Sequence, residues 1–378
     1  MKVLLVITKS GIGGAQAFVL KLAQALKNSG VNVEVAGGEG EYLFEELKKL
    51  SICFHHIKSL KRNISLINSA RFVFDLYRFI KNRQYDVIHL NSSNALVGAL
   101  SMPMLKRKPK VLFTFHGLSF LDEHHEMNRV YKYFTKIIFR NLIKLIDVQV
   151  FVSHNNYEKA KKEKIIKSGI VIQNGLEEKD LSFYNGSEAR KYLMKEYNID
   201  LKGSYLVGSV GRLVYPKNYE FLIHNYQKIK STIPNIKIII IGDGSNYLRY
   251  KKLIERNKYE KDFILLGAIK NSYKYIKAFD VFTLPSVYEG LSISIIEALY
   301  AGLPILASDI DGNREVLNND NRQVYEFNNI DDYIKKLIYI KENSKEIIEY
   351  NLSLTPRFSL EKMAAEYKAL YDKLVCEK

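Results

Sequence analysis

Disulfide-forming pairs, membrane-length apolar runs and a surplus of acid are all missing from this chain of 378 residues. Its two cysteines, Cys53 and Cys376, lie far apart and neither sits in a CxxC context. That excludes a disulfide framework and points to a reducing compartment. No stretch approaches the roughly 20 apolar residues that cross a bilayer. The opening MKVLLVITKSG offers only Val3 to Ile7 before polar Thr8 and Lys9. This is too short for a secretory signal, and a cytoplasmic protein is expected. A dinucleotide fingerprint is missing as well. KSGIGGAQ at 9–16 follows the first apolar run, but a GxGxxG series from Gly11 and Gly13 reaches Gln16 where its last glycine belongs. No acid ends the second strand, VEVAGGEG, so a nicotinamide cofactor is not expected. Zinc-finger spacing, RNP motifs and bZIP patterns are absent, which leaves nucleic-acid binding resting on charge alone.

What is present is positive charge, unevenly spread. The net charge is +16, from 57 Lys+Arg against 41 Asp+Glu. Residues 1–180 hold 28 of the basic residues against 16 acids, and 16 bases against 6 acids fall between Lys58 and Asp147. Such a field implies an anionic partner: nucleic acid, a membrane surface or a phosphorylated substrate.

The length exceeds what one core usually supports, so two domains are expected. Short apolar runs alternate with helix-period stretches. Val3–Ile7, Val31–Ala36, Val87–Leu90, Val111–His116, Val148–Ser153 and Ile170–Gln173 read as buried strands, with helices such as Ala15–Lys27, Leu66–Lys81 and Arg129–Ile146 between them. The series restarts at Tyr205–Val210, Ile236–Ile241, Phe263–Leu266, Val281–Pro285 and Pro304–Ser308, with helices such as Tyr219–Lys230 and Ser292–Ala301. This predicts an α/β protein: two Rossmann-like, doubly wound parallel-sheet domains facing a cleft, over residues 1–180 and 200–355. The polar stretch 176–204 reads as the linker. A last helix, about Leu360–Val375 within 356–378, has no strand after it and is free to pack back on the first domain.

The most informative stretch is VFTLPSVYEGLSISIIEALYAGLPILASDIDGNREV at 281–316. A strand ends at Pro285, Glu289-Gly290 lies in a loop, and a helix begins near Ser292. Backbone N–H groups of Leu291, Ser292 and Ile293, with the helix dipole, suit a phosphate anion. Glu297, roughly 7.5 Å further along the helix, suits the paired hydroxyls of a ribose, and Glu289 those of a sugar. Alternatively, both glutamates are solvated residues near a helix start. GSVGRLVYPKNY at 208–219 places Arg212 and Lys217 beyond a strand's carboxyl end, where they can neutralise a diphosphate and stabilise its departure. Gly13 and Gly14 allow a backbone to approach an anion closely, or form a structural turn. His116 ends the strand VLFTFH and can donate to a sugar hydroxyl, although a lone histidine is more often structural. His124 and His125, flanked by acids, read as surface. Asp309 and Asp311 form an Asp-x-Asp, but late in the second series, where a polar loop is the better reading than a metal site.

The order of these pieces resembles retaining glycosyltransferases of the GT-B fold, family 4 (glycosyl transferases group 1), of the exopolysaccharide and capsule type. The matching segments are GIGGAQ at 11–16, FTFHG at 113–117, VSHNNYEKA at 152–160, IQNGLE at 172–177, VGRLVYPKN at 210–218, IGDGS at 241–245 and EGLSISIIEALYAGLPILASDIDGNREV at 289–316. Glu289 and Glu297 match the family's Glu-x7-Glu signature. The resemblance implies a nucleotide-activated donor, usually a UDP-sugar, retention of configuration, and no required metal or other cofactor. Arg212 and Lys217 would grip the diphosphate, Glu297 the ribose and Glu289 the donor sugar. His116 would sit near the reacting sugar, Leu291 to Ile293 would offer amides, and Gly14 would close on the phosphates. The uracil would lie near Gly242 and Ala268–Ile269. Where many relatives have Gly-Phe-Gly after the first Glu, this chain has Gly290-Leu291-Ser292.

Lys58–Arg83, Met102–Lys110 and Tyr131–Lys144 mix bases with aromatic and apolar residues. They are expected to grip anionic lipid, bringing the enzyme to a lipid-linked saccharide acceptor on the inner face of the cell membrane. The alternative is a solvated basic face. Rival functions are a sugar-nucleotide epimerase or hydrolase of the same fold, a non-catalytic subunit and, remotely, a nucleic-acid-binding protein.

Overall fold

A computed structural model describes residues 1–11, 13–61, 65–121 and 128–377; His124 and His125 lie outside that set. The chain forms two units, Met1–Gly175 with Phe358–Lys378, and Leu176–Arg357.

The first unit is a seven-stranded sheet of β1 (Lys2–Lys9), β2 (Asn32–Glu39), β3 (Cys53–His56), β4 (Val87–Asn91), β5 (Lys110–Phe115), β6 (Val148–Phe151) and β7 (Ile170–Val171). Its order is β3-β2-β1-β4-β5-β6-β7, and neighbouring strands run parallel. Six consecutive residues of β1 are buried, as expected of a strand covered on both faces. Leu4 and Val6 point into one core with Phe72, Leu76 and Ile80 of helix Leu66–Ile80. Val3, Leu5 and Ile7 point into the other, with Phe18 and Leu22 of helix Gly14–Asn28.

That second core also receives Met363, Tyr367, Tyr371 and Leu374 from the last helix, Leu360–Cys376. The helix does return to the first unit, and a buried polar network fixes it there. His89 Nδ1 lies 2.7 Å from the Tyr371 hydroxyl and its Nε2 2.7 Å from Thr114 Oγ1, which in turn meets the Tyr367 hydroxyl at 3.0 Å. Burial pushes the pKa of His89 well below its ordinary value, so the ring is neutral and each nitrogen has a partner.

The second unit is a six-stranded parallel sheet of β8 (Tyr205–Val210), β9 (Ile236–Ile241), β10 (Phe263–Leu265), β11 (Val281–Leu284), β12 (Ile305–Ser308) and β13 (Val324–Tyr325). Its order is β10-β9-β8-β11-β12-β13. Each sheet reverses its strand order once, at β1/β4 and at β8/β11. In open α/β sheets ligands bind outside the carboxyl ends of the strands at such a point.

Three sequence expectations need correction. The stretch 176–204 is not a free linker, because the second unit begins at Leu176. Helix Gly186–Tyr197 opens with an Asn185–Glu188 capping box and buries Ala189 and Leu193. Arg190 ties it down, donating to Asp280 at 2.6 Å and to the Ala278 carbonyl at 2.7 Å. The expected helix Tyr219–Lys230 is two helices, Tyr219–His224 and Tyr226–Thr232. They break at Asn225, whose side chain donates to the Phe221 carbonyl at 2.8 Å and so competes with the helical ladder. The helix expected over Arg129–Ile146 stops at Ile143. No helix among the described residues is long and apolar enough to cross a membrane.

Candidate active site

The chemistry-bearing residues of the second unit gather at its switch point. Arg212 and Lys217 stand on the loop after β8; Glu289 and Gly290 stand on the loop after β11. The two loops are joined directly, since the Val287 N–H donates to the Pro216 carbonyl at 2.8 Å. Lys217 Nζ donates to Glu289 Oε1 at 2.6 Å, and Ser286 Oγ donates to the same oxygen at 2.6 Å. Both charged side chains are mostly shielded from solvent, at 16% and 13% exposure, so their attraction is screened less than that of a surface pair. Glu289 Oε2 has no partner among the described residues. Gly211 makes room for the Lys217 chain: a Cβ there would lie 2.6 Å from the Tyr219 hydroxyl and 3.3 Å from Lys217 Cε. Arg212 is exposed, and its guanidinium has no hydrogen-bond or ion-pair partner among the described residues.

The helix after this loop runs Ile293–Tyr300, one residue later than its sequence suggests, with Ser292 as its N-cap. Ser292 Oγ accepts from the Ile295 N–H at 3.4 Å. The N–H groups of Leu291, Ser292 and Ile293 meet no acceptor among the described residues, although Leu291 and Ser292 are buried. Unpaired donors in buried backbone are costly, and three in sequence at a helix start form an anion cradle. Glu297 is half-buried on the same helix, and its carboxylate makes no hydrogen bond among the described residues. Burial raises its pKa to about 7, and Lys217 opposes the rise only in part.

Gly242 follows β9 and donates its N–H to the Gly267 carbonyl at 2.8 Å, which joins the loop after β10, with Ala268 and Ile269, to the end of β9. Ala268 is exposed and Ile269 half-buried. The Leu213 N–H donates to the Asp243 carbonyl at 2.9 Å, so the loops after β8 and β9 form one surface.

In the first unit, Gly13 and Gly14 lie at the start of helix Gly14–Asn28, beyond β1. His116 follows β5, its Nε2 3.1 Å from Asn91 Oδ1 and its ring 4.7 Å from that of Phe18. Burial lowers its pKa to about 4, so the imidazole is neutral at physiological pH.

Sequence reasoning missed the residues that support these. Ser308 Oγ donates to the Ser286 carbonyl at 2.5 Å and Asn313 Nδ2 to the Ser308 carbonyl at 3.0 Å, a chain running behind Glu289. At the first unit's switch point, Ser92 has φ +94°, a conformation that non-glycine residues rarely adopt. The Thr8 N–H donates to its hydroxyl at 3.2 Å. Serines just at or after the ends of apolar runs are the one sequence signal that could have marked these positions.

Other groups are already engaged. Asp309 accepts from two nitrogens of Arg314, one of them at 2.6 Å. Glu34, Cys53 and His55 come within metal-ligand distance of one another. Glu34, however, takes Lys2 at 2.7 Å and the Tyr85 hydroxyl at 2.6 Å. Burial would raise its pKa, but these bonds and His55 together hold it at about 2.

The basic segments of the first unit divide. Phe72 is core, at 2% exposure, whereas Leu66, Ile67, Val130, Tyr131, Tyr133, Phe134 and Ile138 are each more than half exposed. Arg78 lies over the Phe74 ring at 4.3 Å and Arg83 over Phe79 at 4.1 Å.

Residues 12–179 match the family described as Glycosyltransferase Family 4, and residues 193–352 match Glycosyl transferases group 1. The Escherichia coli UDP-Gal:alpha-D-GlcNAc-diphosphoundecaprenol alpha-1,3-galactosyltransferase is 28% identical, with 97% of this chain and 95% of that protein covered. The E. coli O-antigen biosynthesis glycosyltransferase WbnH is 27% identical, over 97% of each. Among solved structures, HepE of Anabaena, in complex with UDP and glucose, superposes with a TM-score of 0.83 at 17% identity, covering 99% of this chain and 100% of that one. With both units matched in order and the fold shared end to end, the chain is a GT-B-fold glycosyltransferase related to these two families.

Proposed function

We propose that the protein transfers a sugar, with retention of configuration, from a UDP-sugar to a lipid-linked saccharide in surface-polysaccharide synthesis, working as a peripheral protein on the inner face of the cell membrane. The observation that carries the donor reading is the set of three unpaired amides at Leu291, Ser292 and Ile293, two residues beyond a glutamate already holding Lys217. A diphosphate placed there receives backbone donors, the helix dipole and a fixed cation. Arg212 supplies a second, mobile fork, and together they stabilise the charge on the departing nucleotide. Glu297 takes the ribose hydroxyls, Glu289 Oε2 a donor-sugar hydroxyl, Gly14 closes on the phosphates, and the backbone around Gly242, Ala268 and Ile269 holds the uracil. His116, neutral and fixed by Asn91, hydrogen-bonds the reacting sugar rather than acting as a cation. The leaving phosphate takes the acceptor's proton, so these residues contribute positioning and charge.

Two relatives supply the rest: the E. coli galactosyltransferase is named for UDP-Gal and a diphosphoundecaprenol acceptor, and the Anabaena structure holds UDP. The exposed apolar residues set among lysines and arginines of the first unit suit an anionic lipid surface.

A thermal-shift series tests the donor site. UDP raises the midpoint of the wild type, because a ligand that binds only the folded state stabilises it by about 2.7 kcal/mol at a hundredfold excess over Kd. Arg212→Ala and Lys217→Ala lose most of that shift. An unchanged shift in both variants would overturn the assignment.

A further inference from the structure

The first unit carries a second pocket, which the donor reading leaves unused. It lies at the amino-terminal ends of the strands, the opposite end of the sheet from His116. The cavity, of about 780 Å³, has Ile146 and Ile165 in its wall and four cations around it, Arg140, Lys144, Lys164 and Lys167. That volume falls within the range of small-molecule sites.

The cations are poorly compensated. Arg140 gives one terminal nitrogen to the Glu163 carbonyl at 2.7 Å, and its Nε has no hydrogen-bond partner among the described residues. Among the described residues, the Lys144 ammonium meets only the neutral Asn141, at 3.0 Å. Lys164 and Lys167 have no ion pair among the described residues. The single carboxylate in the lining, Asp147, is held by the Val111 N–H at 2.7 Å.

An apolar row leads into this pocket. Val130, Phe134 and Ile138 are spaced by four along helix Arg129–Ile143 and are 61%, 57% and 54% exposed. That spacing puts them on one face, and Asn141 of the pocket lining continues it. A free inorganic anion has no use for isoleucine walls or an exposed apolar row. A phosphate that carries acyl chains uses both.

We propose that this pocket takes the phosphate headgroup of an acidic phospholipid, with the Val130–Phe134–Ile138 row lying at the acyl boundary. The inference rests on the reading that the first unit docks on a membrane. It adds a specific headgroup site to that diffuse attraction.

The test uses the whole protein and monomeric dihexanoyl phosphatidylglycerol, followed by calorimetry, with vesicles of phosphatidylcholine and phosphatidylglycerol as a separate arm. The triple variant Lys144→Gln, Lys164→Gln, Lys167→Gln loses roughly tenfold or more in affinity for the monomeric lipid, since it removes three of the four cations around the headgroup. Its UDP-induced thermal shift stays unchanged, showing that it is folded. A control with the same charge loss on the second unit, Lys251→Gln, Lys252→Gln, Lys258→Gln, all exposed, keeps its affinity. Wild-type affinity in the pocket triple, an equal loss in the control, or equal binding of inorganic phosphate overturns the proposal. Vesicle binding without monomeric-lipid binding overturns the pocket and spares the docking reading. Monomeric-lipid binding through these lysines, without vesicle binding, supports the pocket and overturns the docking.

Discussion

Gly312 presses against the backbone of Glu289: a Cβ at Gly312 would lie 2.5 Å from the Glu289 carbonyl oxygen and 3.0 Å from its Cβ. The glutamate's placement therefore depends on a residue without a side chain in the helix after β12, Asp311–Val316. Gly312→Ala forces Glu289 outward. Because displacements near 1 Å can cost about a hundredfold in rate, kcat is expected to fall at least roughly tenfold. UDP still raises the midpoint, since the amides of Leu291 to Ile293 do not touch Gly312. Steady-state kinetics beside thermal shift separates the two effects.

Lys217 and Glu289 should behave as a coupled pair with different roles. Lys217→Met removes a cation from the diphosphate and leaves a shielded carboxylate unpaired, so both UDP affinity and stability drop, the latter by about 1–3 kcal/mol. Glu289→Gln keeps the shape, frees Lys217 for the phosphates and retains UDP binding, while kcat falls about a hundredfold or more. If Glu289→Gln loses UDP binding instead, the carboxylate acts on the nucleotide and not on the sugar.

Glu297 makes stability depend on pH in a stated direction. Its folded pKa of about 7 lies above the ordinary 4.5, so the folded protein holds this proton more tightly than the unfolded chain. The resulting stability is complete below about pH 4.5 and is lost as pH rises through 7, by at most about 3 kcal/mol. Glu297→Gln removes this part of the decline. Chemical denaturation of both proteins at pH 5 and pH 8 measures it: the difference between wild type and variant should change between the two conditions.

The polar network under the last helix gives a prediction confined to stability. Tyr371→Phe deletes the hydroxyl 2.7 Å from His89 Nδ1 and leaves a buried ring nitrogen without its partner, costing about 1–3 kcal/mol. Denaturant unfolding followed on the first unit should show that loss. UDP affinity, assigned under the proposed function mainly to residues of the second unit, stays as in wild type.

Much of this architecture is readable from sequence because central parallel strands are continuous apolar runs. β1, β9 and β11 announce themselves. β3 does not, because Cys53-Phe54-His55-His56 is an edge strand whose residues are largely exposed. β13 has only two residues, too few for any period. At the site, Arg212, Lys217, Glu289 and Glu297 could be named because charge at the end of an apolar run is conspicuous. Ser286, Ser308, Gly312 and Ser92 could not, since their importance lies in which backbone they meet across the sheet. The His89 network was equally hidden: its partners Tyr367 and Tyr371 sit on the final helix, and a tyrosine at helical spacing looks like any core aromatic.

Because the last helix completes one core of the first unit, that unit is assembled from two stretches of sequence with the entire second unit threaded between them. During synthesis, at about 5–20 residues per second, Val3, Leu5 and Phe18 emerge early and wait roughly ten seconds or longer for Tyr367 and Tyr371. The later-made unit, uninterrupted in sequence, has all its elements before the helix Leu360–Cys376 that the first unit still lacks. Part of the core around the earliest residues translated is therefore sealed only when the last residues arrive.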